Sequence, residues 1–137
     1  DTSRSSTDRS QFSKDVFLAI ASHACASAGG SSTLLRFMDV DRLRTEREFI
    51  HHANGNHVFR VPNRDLKQLS DRAATHGFVM SEDRRQILVV PSDRPSGSPK
   101  SYLLVVFPGD TIPELDVSLL KVFVNQAEML YHQLTNV

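Results

Sequence analysis

The stretch PELDVSLLKVFVNQAEMLYHQL, from Pro113 to Leu134, constrains the fold more than any other part of the chain. At about 100 degrees per residue, Leu119, Leu120, Phe123, Ala127, Leu130 and Leu134 fall in one broad apolar stripe, with Val124 and Tyr131 on its edge. Such a stripe must be laid on another layer of structure, and Pro113 is tolerated in the first turn of the helix that carries it. Leu115, Val122 and Met129 fall on the opposite side, seven residues apart, the interval that keeps a thin seam facing a partner helix.

An earlier helix is expected from Phe12 to Ala28, where Val16, Phe17, Ile20, Ala21, Ala24 and Ala28 recur at helical spacing and Gly29-Gly30 stops the run. Leu18 and Cys25, again seven apart, lie away from its main stripe. With the two helices side by side, Leu18, Cys25, Leu115, Val122 and Met129 would form one patch, the expected interface with a second copy of the chain. Ser118, Asn125 and His132 keep that seam narrow.

What the helices cover is a sheet. TLLRFMDV alternates, with Leu35 and Phe37 on one face and Leu34, Arg36 and Met38 on the other, and a hairpin returns through EFIHHA. HVFRV reads as a further short strand, and FVMS, RQILVVP and SYLLVVFP follow as three more. Between the two groups, Pro62 precedes a short helix with Leu66, Leu69 and Ala73 at i, i+3 and i+7 and Gly77 at its C-cap. SDRPSGSPK is a wide hairpin loop. The expected class is α+β: a central antiparallel sheet of about six strands, the terminal helices on one face and a short helix on the other.

The polar opening DTSRSSTDRS reads as a flexible linker over residues 1–10, leaving 11–137 as a single domain. Sixteen basic residues balance sixteen acidic ones, so no net field draws the chain to nucleic acid or to an anionic membrane. The lone Cys25 forms no internal disulfide, and no apolar run reaches the length of a membrane span, which fits a cytoplasmic setting.

Chemistry is sparse. Ser118 and Lys121 have the S-x-x-K spacing of penicillin-recognising enzymes without the companion motifs. His51, His52 and His57 lack a further ligand at metal spacing, and His23 and Cys25 lie on different sides of their helix. Arg36, Arg42, Arg44, Arg47, Arg60 and Arg64 crowd the first hairpin but are offset by Asp39, Asp41, Glu46, Glu48 and Asp65, as on a solvated face. No catalytic or metal-binding constellation emerges, and no cofactor is implied.

The tail SYLLVVFPGDTIPELDVSLLKVFVNQAEMLYHQL resembles the end of a GAF-type sensory domain. PELD, LLKVF and the following glutamine, after a strand like SYLLVVF, are similar to the uncharacterised GAF-like domain of bacterial response regulators with cyclic-di-GMP phosphodiesterase (HD-GYP) or related output domains. The likeness spans roughly Leu66 to Leu134. It implies a six-stranded antiparallel sheet flanked by helices and carries over no catalytic residue. Neither a chromophore cysteine nor a cyclic-nucleotide signature is evident, so neither ligand is implied.

The expected role is a non-catalytic regulatory module that dimerises and relays a signal between flanking receiver and output domains. A ligand pocket would lie on the sheet face opposite the terminal helices, under Val61 to Gly77; Phe37, Phe49, Phe59, Phe78 and Met80 are the residues to line or fill it, and filling favours no bound small molecule. The alternatives are a PAS-like sensor and a small hydrolase.

Overall fold

The computed structural model describes residues 2–72, 74–93, 99–109 and 112–135, with side chains from residue 10 to residue 134 within those spans. Ala73 of the middle helix and the centre of the SDRPSGSPK loop therefore lie outside the described residues. The order is α1 (Thr2–Ala28), β1 (Ser32–Asp39), β2 (Arg44–His52), α2 (Asn63–Asp71), β3 (Gly77–Met80), β4 (Gln86–Pro91), β5 (Lys100–Val106) and α3 (Val117–Thr135). The strands form one sheet in the order β2-β1-β5-β4-β3, with every neighbouring pair antiparallel.

All residues of β5 are buried, as are all of β1 but its last, because both faces of the sheet centre are covered. Alternation along the strands then sorts the side chains between two layers. Leu35, Phe37, Phe49, Leu88, Val90, Leu103 and Val105 face α1 and α3, meeting Phe17, Ile20, Ala24, Leu120, Val124, Ala127 and Tyr131. Leu34, Met38, Ile87, Val89, Tyr102, Leu104 and Val106 face the other way, under Val61 and Leu66. The fold class expected from the pattern is therefore the one observed.

Aromatic contacts knit the helix layer to the sheet. Tyr131 of α3 stacks on Phe37 of β1 at 4.1 Å between centroids, and Phe17 of α1 sits edge-on to the same Phe37 at 5.0 Å. Thr33 Oγ1 donates to Ala21 O at 2.7 Å, fixing β1 under α1. On the opposite face, Arg36 is buried rather than solvated. Its guanidinium donates to Glu48 Oε2 (2.6 Å), Val61 O (2.7 Å) and Asn63 Oδ1 (3.0 Å), pinning the chain ahead of α2 to the sheet.

Four details depart from the sequence reading. Among the described residues the sheet has five strands: HVFRV has Val58 and Arg60 exposed and Val61 buried, but it joins no ladder and instead packs Phe59 and Val61 on the sheet face. Gly77 opens β3 rather than capping α2, which ends at Asp71 with Arg72 as its C-cap. Leu119 is 38% exposed, so the buried stripe of α3 centres on Leu120, Val124, Ala127 and Tyr131. Finally, α1 runs from Thr2 and takes in the segment expected as a linker, which contains neither Gly nor Pro to stop it.

The end of α1 is a Schellman cap. Gly29, at φ +70°, donates to Ala26 O and Gly30 donates to Cys25 O, satisfying carbonyls the helix leaves open. A Cβ on Gly30 would stand 2.7 Å from Val105 Cγ1 and 3.2 Å from Val106 O, both held in the sheet core. Gly30→Ala is therefore expected to cost about 1–3 kcal/mol, measured by urea unfolding.

Candidate functional site

The helix α3 presents three faces, each meeting something different. Its apolar face lies on the sheet. A second flank carries Lys121, Asn125, Glu128 and His132, spaced so that they share one side of the helix, and all four reach the ends of the β4–β5 hairpin. The third face carries Val122 and Met129, 58% and 53% exposed.

The polar flank is a latch. Glu128 is 2% exposed, and its Oε1 accepts from Ser92 Oγ at 2.7 Å and from the Ser101 backbone N–H at 2.8 Å. Lys100, also buried, donates to Ser92 O at 2.7 Å. Burial pushes the Lys100 pKa down, while the Glu128 carboxylate opposes that shift by favouring the ammonium. Lys121 Nζ reaches Pro91 O at 2.5 Å and Asp93 Oδ1 at 2.9 Å. Asn125 completes a reciprocal pair with Asp93, accepting its N–H and donating to its carboxylate, each at 2.8 Å. The Asn125 hydrogen bond, then Lys121, holds the Asp93 carboxyl below its usual range. His132 Nε2 stands 3.1 Å from Pro99 O.

These contacts tie α3 to the hairpin. Lys121 is engaged with Pro91 and Asp93, and Ser118 is exposed, so their spacing does not make a nucleophile and its base. Burial raises the Cys25 pKa, disfavouring a thiolate, and its Sγ donates to Gly30 O at 3.2 Å. His52 Nδ1 meets Ser32 Oγ at 2.8 Å. Among the described residues no group of His, Cys, Asp and Glu is placed to hold a metal ion, and no helix is long and apolar enough to cross a membrane.

Of the five residues expected at the dimer interface, only Val122 and Met129 are exposed. Cys25 is 1% exposed beneath the α1 cap, Leu18 packs with the Phe17 cluster, and Leu115, ahead of α3, packs against the Leu120 cluster. The exposed part of the expected patch therefore lies on α3. The five residues expected at the pocket do not meet either. Phe37 and Phe49 are in the helix-side core, Phe59 is on the opposite face, and Phe78 and Met80 are 40% and 62% exposed on edge strand β3. The face beneath α2 is filled by Leu34, Leu66, Ile87, Val89 and Tyr102 instead.

Two cavities open at the rim of the sheet. One, of about 530 Å³, is lined by His57, Val58, Arg60, Glu82 and Asp83. His57 Nδ1 faces Asp83 Oδ2 at 3.6 Å, its ring meets Phe59 edge-on, and burial lowers its pKa against the opposing pull of Asp83. The other, of about 240 Å³, lies by the β3–β4 turn and is lined by Arg84 and Arg85 among others.

With this geometry in place, the chain can be compared with known proteins. No family model and no curated protein matches it. Among solved structures, a bacterial protein described as "the GAF domain/HD domain protein from Geobacter sulfurreducens" superposes with a TM-score of 0.62, over 91% of this chain and 95% of that one, at 10% identity. The fold is GAF-like. In this GAF-like fold the residue that sequence reasoning missed is Glu128: helical spacing places it beside the apolar stripe, but only the hairpin brought alongside explains its burial.

Glu128→Ala removes the acceptor of the Ser92 hydroxyl and the Ser101 N–H together with a charge that favours the buried Lys100 ammonium, so it should cost about 3–5 kcal/mol in urea unfolding. Adding Lys100→Met should recover part of the loss. A second test concerns Tyr131, whose Oη donates to Glu46 Oε1 at 2.8 Å and whose pKa is pushed up to about 12 by burial and then by Glu46. The phenol ionises more readily in the unfolded chain, so stability falls as pH rises from about 10 toward 12. Tyr131→Phe should reduce that fall in unfolding free energy measured against pH, the remainder coming from Tyr102, whose pKa burial also pushes up to about 12.

Proposed function

We propose that this domain is a non-catalytic regulatory module that pairs with a second copy through the outer face of α3 and passes changes in the packing of that helix to neighbouring domains of the same polypeptide. The observation that carries the reading is the division of α3 into three faces: the sheet and the β4–β5 hairpin hold two of them, and the third carries Val122 and Met129 in the open. A helix held so firmly from inside moves as a body with the domain, which is what relaying a change in packing requires.

The setting proposed is bacterial signalling of the response-regulator kind, between a receiver and a cyclic-di-GMP phosphodiesterase (HD-GYP) or related output domain, in the cytoplasm. The GAF-like fold and the sequence resemblance of the closing segment support it, as does the pairing of GAF and HD in the description of the similar bacterial protein. Lys121 is engaged with Pro91 and Asp93 and Cys25 is buried, so neither the Ser118–Lys121 spacing nor the lone thiol favours the hydrolase alternative.

Val122→Glu and Met129→Glu place charge on the outer face without touching the core. Each should lower the mass of the protein in sedimentation equilibrium toward that of a monomer while leaving its unfolding midpoint unchanged. A wild-type protein that stays monomeric at the highest concentrations reached, or variants that associate as the wild type does, would sink the proposal.

A further inference from the structure

The β3–β4 turn, Ser81-Glu82-Asp83-Arg84-Arg85, carries two acids followed by two bases, and the fold sends them to opposite sides. The acids turn toward the HVFRV segment: Glu82 pairs with Arg60 at 3.7 Å, and Asp83 accepts from Ser81 and faces His57. The arginines turn toward the connection between β5 and α3, where the 240 Å³ cavity lies. Arg84 holds φ +63°, a left-handed conformation that suits glycine or asparagine, and its N–H donates to Ser81 O to close the turn. The backbone thus carries strain at the residue that faces the cavity.

Among the described residues neither Arg84 nor Arg85 pairs with a carboxylate. Arg85 is half-buried, and among the described residues its guanidinium reaches Phe107 O, at 3.4 Å, through one N–H, which leaves most of its donors for another partner. Beside the arginines, Gln86 and Gly109, the lining includes three apolar side chains: Met80 from β3, Phe107 just after β5, and Ile112. Two adjacent guanidinium groups beside an apolar wall match an anionic group attached to a small hydrophobic body. At 240 Å³ the space is below the range of drug-sized pockets, about 300–1,000 Å³, which restricts the body to a few heavy atoms or a single ring.

We infer that this cavity binds a small carboxylate or phosphate ester, its anionic end held by Arg84 and Arg85 and its apolar end against Met80, Phe107 and Ile112. A ligand there bridges the β3–β4 turn to the segment that leads into α3, so occupancy bears on the helix assigned above to the dimer. The binding itself does not depend on that assignment and is measured separately from it.

The test is a titration of the isotope-labelled protein with phenyl phosphate, benzoate and inorganic phosphate, followed by amide chemical shifts. Saturable shifts are expected at Arg84, Arg85, Gly109 and Ile112, with phenyl phosphate or benzoate binding more tightly than inorganic phosphate; which of the two is tighter tells the ester from the carboxylate. Arg84→Gly removes one guanidinium and relieves the left-handed strain, so it should weaken binding at least about tenfold while the melting temperature holds or rises. Arg84→Gly combined with Arg85→Gln should abolish the shifts. Absence of saturable shifts at these amides, equal affinity in the variants, or shifts of the same size at arginines across the surface would each overturn the inference.

Discussion

A carboxylate buried beneath a helix has to be answered from the far side of the contact, and the position of α3 follows from how Glu128 is answered. Its oxygen takes one hydrogen bond from a side chain and one from the backbone, on the two strands at the loop end of the β4–β5 hairpin, with the Lys100 ammonium nearby. Apolar packing alone leaves a helix some freedom to slide and roll over a sheet, because the hydrophobic effect is not directional. Hydrogen bonds to fixed backbone groups remove that freedom. With the apolar face down and the polar flank against the hairpin, the direction in which Val122 and Met129 point is settled.

The same constraint organises the opposite end of the sheet. Tyr131, one turn beyond Glu128, stacks on Phe37 and reaches Glu46 on the outermost part of β2, while Phe17 brings α1 into the same cluster. Helix α3 therefore touches both halves of the sheet with directional contacts, the hairpin on one side and β2 on the other. Across the sheet, Arg36 does the corresponding job for the chain leading into α2. Buried charged side chains, each hydrogen-bonded, set the orientation of both covering layers, and the apolar core supplies the bulk of their cohesion.

Much of the layout was legible in the sequence because it rests on periodicity. The faces of β1 follow from alternation in TLLRFMDV, and the helices follow from apolar residues at helical spacing and the Gly29-Gly30 stop. What periodicity lacks is the identity of the neighbour. HVFRV alternates as a strand does, yet it joins no ladder among the described residues and serves as a cover for the sheet instead. Phe37 and Phe59 look alike in sequence but end on opposite faces, because the residue count between them spans a hairpin and a segment outside the ladders. Glu128 and Cys25 show the same limit: a charged residue that periodicity leaves unassigned is buried by a hairpin distant in sequence, and a thiol placed on an outer line is covered by the cap of its own helix.

The central claim is that α3, fixed from within, meets a second copy through its outer face. An isotope-filtered NOE experiment on a mixture of labelled and unlabelled protein tests it most directly, since the signals arise only between copies. The account predicts intermolecular NOEs at the Val122 and Met129 methyl groups. Intermolecular contacts confined to other surfaces, or none at any concentration reached, would contradict it.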